Sequence, residues 1–298
     1  MINTFKRFKK YNNNYTKNFK PENKIISNSY IIDIYKEVFY LIQRYFIQIK
    51  RRPSNLFSGI LQPLLWLILF GALFQNAPVN LLTNNRTYYQ FLSPGIIVFT
   101  SFTGAINSGL PLIFDREFGF LNRLLVAPLI SRDSLILSSI IFITIITTLQ
   151  TSVIIVSSLI IGDNNLNSNK VITIIFIILL ITLSIGSISI CLAFVLPGHI
   201  EFLAIILIAN LPTLFSSTAL APLSFMPYWL QIIASTNPLT YAIESIRCLY
   251  LYPYINYKTS IIETIWFNFN IQESIYLLTI ITIISFSIVK NIIVYECE

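Results

Sequence analysis

The side chains that could carry chemistry are few and scattered. A single histidine, His199, and three cysteines, Cys191, Cys248 and Cys297, have neither the clustering of a metal site nor the spacing of a disulfide framework. None of the nine glycines is followed by the Lys-Ser/Thr pair of a phosphate-binding loop, so the chain does not bind ATP by that device. A membrane-embedded enzyme needs histidines or carboxylates gathered at one depth, and the sequence lacks them. The chain is therefore read as having no catalytic site of its own and no cofactor, and any ATP-driven work requires a partner.

Two stretches do space polar and apolar residues for recognition. In the run from Asp115 to Arg132, Phe118, Leu121 and Leu125 share a helix face, with Leu124 one turn over. Glu117, Asn122 and Arg123 point elsewhere, and Pro128 ends the helix. Such an amphipathic helix either inserts into a groove on a soluble partner or pins its loop to the bilayer. The second stretch runs from Asn237 to Arg247. It places Glu244 and Arg247 at i, i+3, where an exposed ion pair is worth a few tenths of a kcal/mol.

The elements that must hold these stretches are transmembrane helices. Of 298 residues, 55% are hydrophobic and only 11% charged, with a mean hydropathy of +0.71. Soluble domains carry about a quarter charged residues, so a water-soluble enzyme is excluded. The apolar runs lack the alternation of a membrane β-barrel. A helix needs roughly 20 apolar residues to cross the hydrocarbon. Six segments qualify, at about 54–75, 90–114, 134–161, 171–195, 202–222 and 271–289. The predicted fold is all-α, a six-span domain over residues 53–298. No Asp, Glu, Lys or Arg marks the middle of any span, which argues against a proton- or sodium-coupled carrier. Gly104, Asn107, Gly109 and Pro111 in the second span, and Asn210 and Pro212 in the fifth, allow kinks and close packing, and either set could line a path.

Residues 1–29 read as a disordered basic arm without a removable signal peptide. Residues 1–53 as a whole net plus 9 and the remainder minus 2. From Tyr30 to Arg52, polar residues recur every three or four positions opposite Ile, Phe, Val and Leu. That is an amphipathic helix suited to the headgroup layer, where membrane lipid is its partner. With the amino terminus inside, the inner segments hold sixteen Lys/Arg and the outer loops four, so both termini and the Asp115 to Asp133 loop are placed inside. The abundance of Ile, Asn, Lys, Tyr and Phe is the bias of AT-rich codons. It points to a plastid or comparable genome, with a bacterial-type inner membrane as the alternative.

The Asp115 to Arg132 run resembles the loop after the second span in ABC-2-type permeases, the membrane subunits of ABC exporters. Asn237-Pro238-Leu239-Thr240-Tyr241-Ala242-Ile243-Glu244-Ser245-Ile246-Arg247, preceded by Met226-Pro227-Tyr228-Trp229, resembles the segment between their last two spans, and Leu92-Ser93-Pro94-Gly95 fits the opening of their second. The similarity is greatest to the drug- and polysaccharide-export branch and to permease-like proteins of algal plastid genomes. It implies a dimer of six-helix subunits, here a homodimer, each docked on a separate ATPase subunit that holds ATP and Mg. It implies no nucleic-acid partner. By the same resemblance Glu117, Phe118, Gly119, Leu121, Arg123, Leu124 and Leu125 form the coupling helix. Asn237, Pro238, Tyr241, Glu244 and Arg247 belong to a hairpin dipping in from the outer face as a gate. The competing expectation is a six-helix translocase or assembly factor, for protein export or cytochrome assembly, that works without an ATPase.

Overall fold

The computed structural model describes residues 30–51, 53–74, 88–120, 123, 133–162, 167–251, 260–263 and 268–297. The basic arm, Leu121, Asn122, Leu124 and Leu125 lie outside the described residues. The chain begins with α1 (Tyr30–Arg51) and α2 (Ser54–Leu73). It continues as α3 (Tyr88–Ile106), a 3-10 segment (Asn107–Gly109) and α4 (Leu110–Glu117). Next come α5 (Asp133–Gly162), α6 (Ser168–Val195) and α7 (His199–Phe215). Two short helices, α8 (Tyr228–Thr236) and α9 (Pro238–Leu251), precede a small antiparallel pair, β1 (Ser260–Glu263) and β2 (Asn268–Asn270), and α10 (Ile271–Cys297) closes the chain.

Among the described residues, five stretches are long and apolar enough to cross a membrane: 56–73, 88–117, 134–161, 168–195 and 271–292. The predicted fifth span, 202–222, is shorter as a helix. It ends at Phe215, where Pro212 contributes no backbone donor and the carbonyls of Pro212 and Leu214 are taken by Ser216 and Ser217 N–H groups. The chain beyond that end still has a fixed place. The Tyr88 hydroxyl at the start of α3 donates to Leu220 O at 3.3 Å, and Ala219 packs directly on Gly95. The other end of α7 lies at Glu117, where α4 stops. The strand pair β1–β2 was not expected from the sequence.

The helices pack as helices in lipid must, through van der Waals contact and locally satisfied polar groups. Phe91, Leu92, Ile96 and Ile97 of α3 are fully buried with Ile154 of α5 and Ile174, Ile177, Ile178 and Ile181 of α6. Hydroxyls within the spans fold back onto their own helix, as Thr147 does on Ile143 O at 2.9 Å and Thr151 on Thr147 O at 2.9 Å. The second span breaks where its glycines, Asn107 and Pro111 predict. At Asn107–Gly109 the Ser189 hydroxyl of α6 fills the gap, accepting from Gly109 N–H at 2.9 Å and donating to Ile106 O at 2.5 Å. A Cβ on Gly109 would lie 2.6 Å from Ser189 O, so only glycine lets α6 come this close. Ser108 Oγ beside the break is buried without a hydrogen-bond partner among the described residues.

Candidate functional site: a charged junction and a hairpin

At the carboxyl end of the second span, three consecutive side chains reach three different elements. Successive helix residues point about 100° apart, so Asp115, Arg116 and Glu117 at the end of α4 fan outward. Arg44 Nη2 of α1 donates to both oxygens of Asp115, at 2.5 Å to Oδ1. The same guanidinium lies 4.0 Å from the ring centre of Phe120. Arg116 turns to the carboxyl end of α6, donating to Phe194 O at 2.5 Å, to Leu196 O and to Pro197 O at 2.9 Å. Those carbonyls have no partner within the helix, and a cation there complements the helix dipole. Glu117 takes the start of α7. Its Oε1 accepts from His199 N–H at 2.6 Å, and its Oε2 bonds His199 Nδ1 at 2.6 Å.

The junction is braced from below by α1. Val38, Leu41 and Tyr45 are buried against α5, the Tyr45 ring stacks on Phe142 at 4.9 Å, and Ser134 Oγ donates to Glu37 at 2.9 Å. The Tyr45 hydroxyl is 3.1 Å from Ser139 Oγ, and burial pushes the phenol above the ordinary tyrosine range, so it keeps its proton. The amphipathic helix is therefore fastened lengthwise to a span. Ile32, Tyr35 and Phe39 remain exposed on it.

The turn out of α4 presents the first residues of the predicted coupling helix. Phe118 is 79% exposed, and its backbone N–H bonds Phe114 O. Gly119 adopts φ +70, the left-handed conformation that ends a helix, and its N–H bonds Arg116 O at 3.1 Å. Arg123 N–H reaches back to Gly119 O at 3.4 Å, and its side chain is exposed. Glu117, the first residue expected in that helix, also holds His199 at the start of α7. Asp115, Arg116 and Arg44 carried no assigned role, and the signal was present in the three alternating charges that close an apolar span.

At the opposite end of the second span, α8 and α9 form a hairpin around Asn237. Its Oδ1 accepts from Leu239 N–H at 3.0 Å, an N-cap bond, and Pro238 occupies the first helical position where no donor is needed. Asn237 Nδ2 donates to Thr213 O at 3.2 Å and Ser216 Oγ at 3.4 Å, tying the turn to the end of α7. Thr240 Oγ1 donates to Ala234 O and the Tyr241 hydroxyl to Ser235 O, both at 2.7 Å, which occupies the last carbonyls of α8. The Tyr241 ring meets Phe269 of β2 edge-on at 5.1 Å.

Arg247 is the node of this side, with a side chain only 5% exposed. It pairs with Glu244 and donates to Thr218 O at 2.6 Å and Phe91 O at 3.3 Å, with its guanidinium 3.8 Å from the Phe91 ring centre. The weak surface pair anticipated at i, i+3 is thus a buried one, joining α9 to α3 and to the turn after α7. Next to it, burial pushes the Cys248 thiol up to about 11.

This arrangement defines a polytopic helical membrane protein clamped at both ends. The ABC-2 type transporter family matches residues 36–251, which includes the charged junction and the hairpin. The chain belongs to that family. It is 56% identical over 89% of its length to a protein of Porphyra purpurea named "Putative transport permease ycf38", covering 91% of that protein. It is 54% identical over 90% of its length to the like-named protein of Pyropia yezoensis, covering 92% of it. A third, from Cyanophora paradoxa, is 52% identical over 87% of this chain and 89% of its own length. These relatives are encoded in plastid genomes.

Proposed function

We propose that this chain is the permease subunit of an ATP-driven exporter in a plastid membrane, working as a homodimer docked on a separate ATPase subunit. The observation that carries the reading is the fan of Asp115, Arg116 and Glu117 directly before exposed Phe118. In this reading ATP and Mg bind the partner, and this chain supplies the path and the mechanical link. A push on the Glu117 to Leu125 helix displaces the end of α4. The three charged residues then carry that displacement into α1, α6 and α7 at once.

The outer end moves with the inner one, because two elements meet at both. The second span meets α7 through Glu117 and His199 inside, and outside Arg247 of α9 bridges Phe91 of the second span to Thr218 in the turn after α7. That frame also supports six crossings, since α7 and its following turn run between the same two levels as the whole second span. The exit would then open where Asn237, Pro238, Tyr241, Glu244 and Arg247 hold the outer hairpin.

Extraction from its native membrane in mild detergent tests the reading. Recovery of a P-loop ATPase subunit, whose ATP hydrolysis is stimulated by substrate and loses that stimulation when Asp115 is replaced by Asn, is the expected result. Transport by the reconstituted chain with no ATPase bound would replace it with the translocase alternative.

A further inference from the structure

The break in the second span leaves one hydroxyl unused. Hydroxyls elsewhere in the spans turn back onto a carbonyl three or four residues earlier, as Thr103 does on Thr100 O at 3.1 Å and Ser184 on Ile181 O at 3.0 Å. Ser108 sits in the 3-10 segment, is 9% exposed, and makes no such bond. Asn210 Oδ1 and Thr218 Oγ1 are also buried without a partner among the described residues, so the orphaned atom alone decides nothing. The space beside Ser108 decides. Ser108 lines a small cavity with apolar Pro111, Leu112 and Phe142 and with two further hydroxyls, Tyr45 of α1 and Ser139 of α5. Its room is that of a single water. Ser139 lies five residues past Ser134, where the apolar stretch of α5 begins, so the cavity is about 7.5 Å along the helix from the headgroup layer.

The protons in this cavity follow from the bonds already made. Ser139 Oγ donates to Leu135 O at 2.8 Å, so the Tyr45 hydroxyl, 3.1 Å from Ser139 Oγ, must donate to it. The lone pairs of the Tyr45 oxygen then stay open, and so do both roles of the Ser108 hydroxyl. We infer that the cavity binds one water molecule, which accepts from Ser108 and donates to the Tyr45 oxygen, tying α1 to the break in the second span. Hydroxyls that line one cavity without bonding each other retain water, whereas an apolar cavity stays dry. With the water in place α1 grips α4 at both ends. Arg44 holds Asp115 directly, and Tyr45, the next residue, holds Ser108 through the water. A water turns to follow a moving partner where a fixed side-chain bond would break, so the break flexes without stranding its hydroxyl. The site itself is independent of the exporter reading, and only the use made of the flexing rests on it.

The test is a high-resolution cryo-EM map of the unmodified chain in nanodiscs, joined to a double-mutant cycle of Tyr45→Phe and Ser108→Ala followed by equilibrium unfolding in mixed micelles. Density for one ordered water at about 2.5–3.0 Å from both Tyr45 Oη and Ser108 Oγ is expected. The double variant should lose less than the two single losses combined, by more than the roughly twofold scatter in unfolding constant that independent sites show. Ser108→Ala combined with Ser287→Ala, on an exposed face of α10, should show no such shortfall. An empty cavity in the map, or a Ser108 hydroxyl turned back onto its own helix, overturns the site. An additive cycle overturns the tie between α1 and the break, whatever the map holds. The map needs no variant, so it decides the site even where Tyr45→Phe or Ser108→Ala fails to fold. Neither measurement involves an ATPase, so failure of the exporter reading would leave the water in place.

Discussion

Arg247 illustrates how burial changes the worth of a charged pair. An exposed Glu-Arg pair at i, i+3 contributes a few tenths of a kcal/mol, but Arg247 is enclosed with Glu244, two backbone carbonyls and the Phe91 ring. Removing one member of a buried pair leaves the other uncompensated, at about 3–5 kcal/mol. Arg247→Ala should therefore lower folded yield and midpoint of thermal unfolding in detergent, with Arg247→Lys recovering only part because it lacks the planar fork. A loss comparable to that of an exposed lysine variant would show that the pair is solvated in the membrane. The spacing of Glu244 and Arg247 was legible in the sequence; the burial was not. It depends on Thr218 and Phe91, which lie 29 and 156 residues away along the chain and bear no local mark of the contact.

The elements divide into those that sequence periodicity reveals and those that tertiary contacts shape. The long apolar helices follow from composition, and the break in the second span follows from Gly109 and Pro111. The early end of α7 and the β1–β2 pair did not follow, since hydropathy averages over the Ser216–Ser217 turn and does not register the short strands. At this scale the junction separates two kinds of failure. Asp115→Asn and Glu117→Gln remove charge from the clamp while keeping hydrogen-bonding shape, so membrane insertion and ATPase docking should survive while ATP hydrolysis loses its dependence on substrate. Leu121→Asp should do the reverse and release the ATPase from a normally inserted permease, because a central interface anchor is worth about 2 kcal/mol or more. Equal ATPase recovery with Leu121→Asp would remove the coupling assignment. Ser189→Val tests the break itself. It leaves Gly109 N–H and Ile106 O unpaired, at about 1–3 kcal/mol each, and should destabilise the chain more than Ser287→Val on an exposed face.

For the whole molecule the charge distribution makes the strongest demand. Sixteen of twenty Lys/Arg fall on one side of the proposed topology. Cysteines introduced at Arg123 and Asn167, both exposed, should then label from opposite faces of sealed vesicles. Cys248 should stay silent at neutral pH, because its buried thiol holds its proton. Labelling of both sites from one face would break the six-crossing plan. The all-helical, membrane-spanning character of the chain was readable from the sequence because lipid imposes one rule on every helix. The frame that ties the two ends together was not, because it is built from single residues far apart in the chain.

The junction also sets an order on biogenesis. Asp115 meets a partner already made, since Arg44 lies 71 residues earlier. Arg116 and Glu117 must wait for acceptors and donors that lie about 80 residues later, at Phe194 to His199. A ribosome that has finished the second span therefore leaves a cation and a carboxylate unmatched at the membrane surface until α6 has been inserted. Arg247 then closes the outer side against Phe91 and Thr218, which were synthesised long before. The nascent chain accordingly passes through an interval in which its inner end is half tied and its outer end open. A truncation ending before Phe194 should be degraded faster, or retained longer by insertion machinery, than one ending just after Glu201.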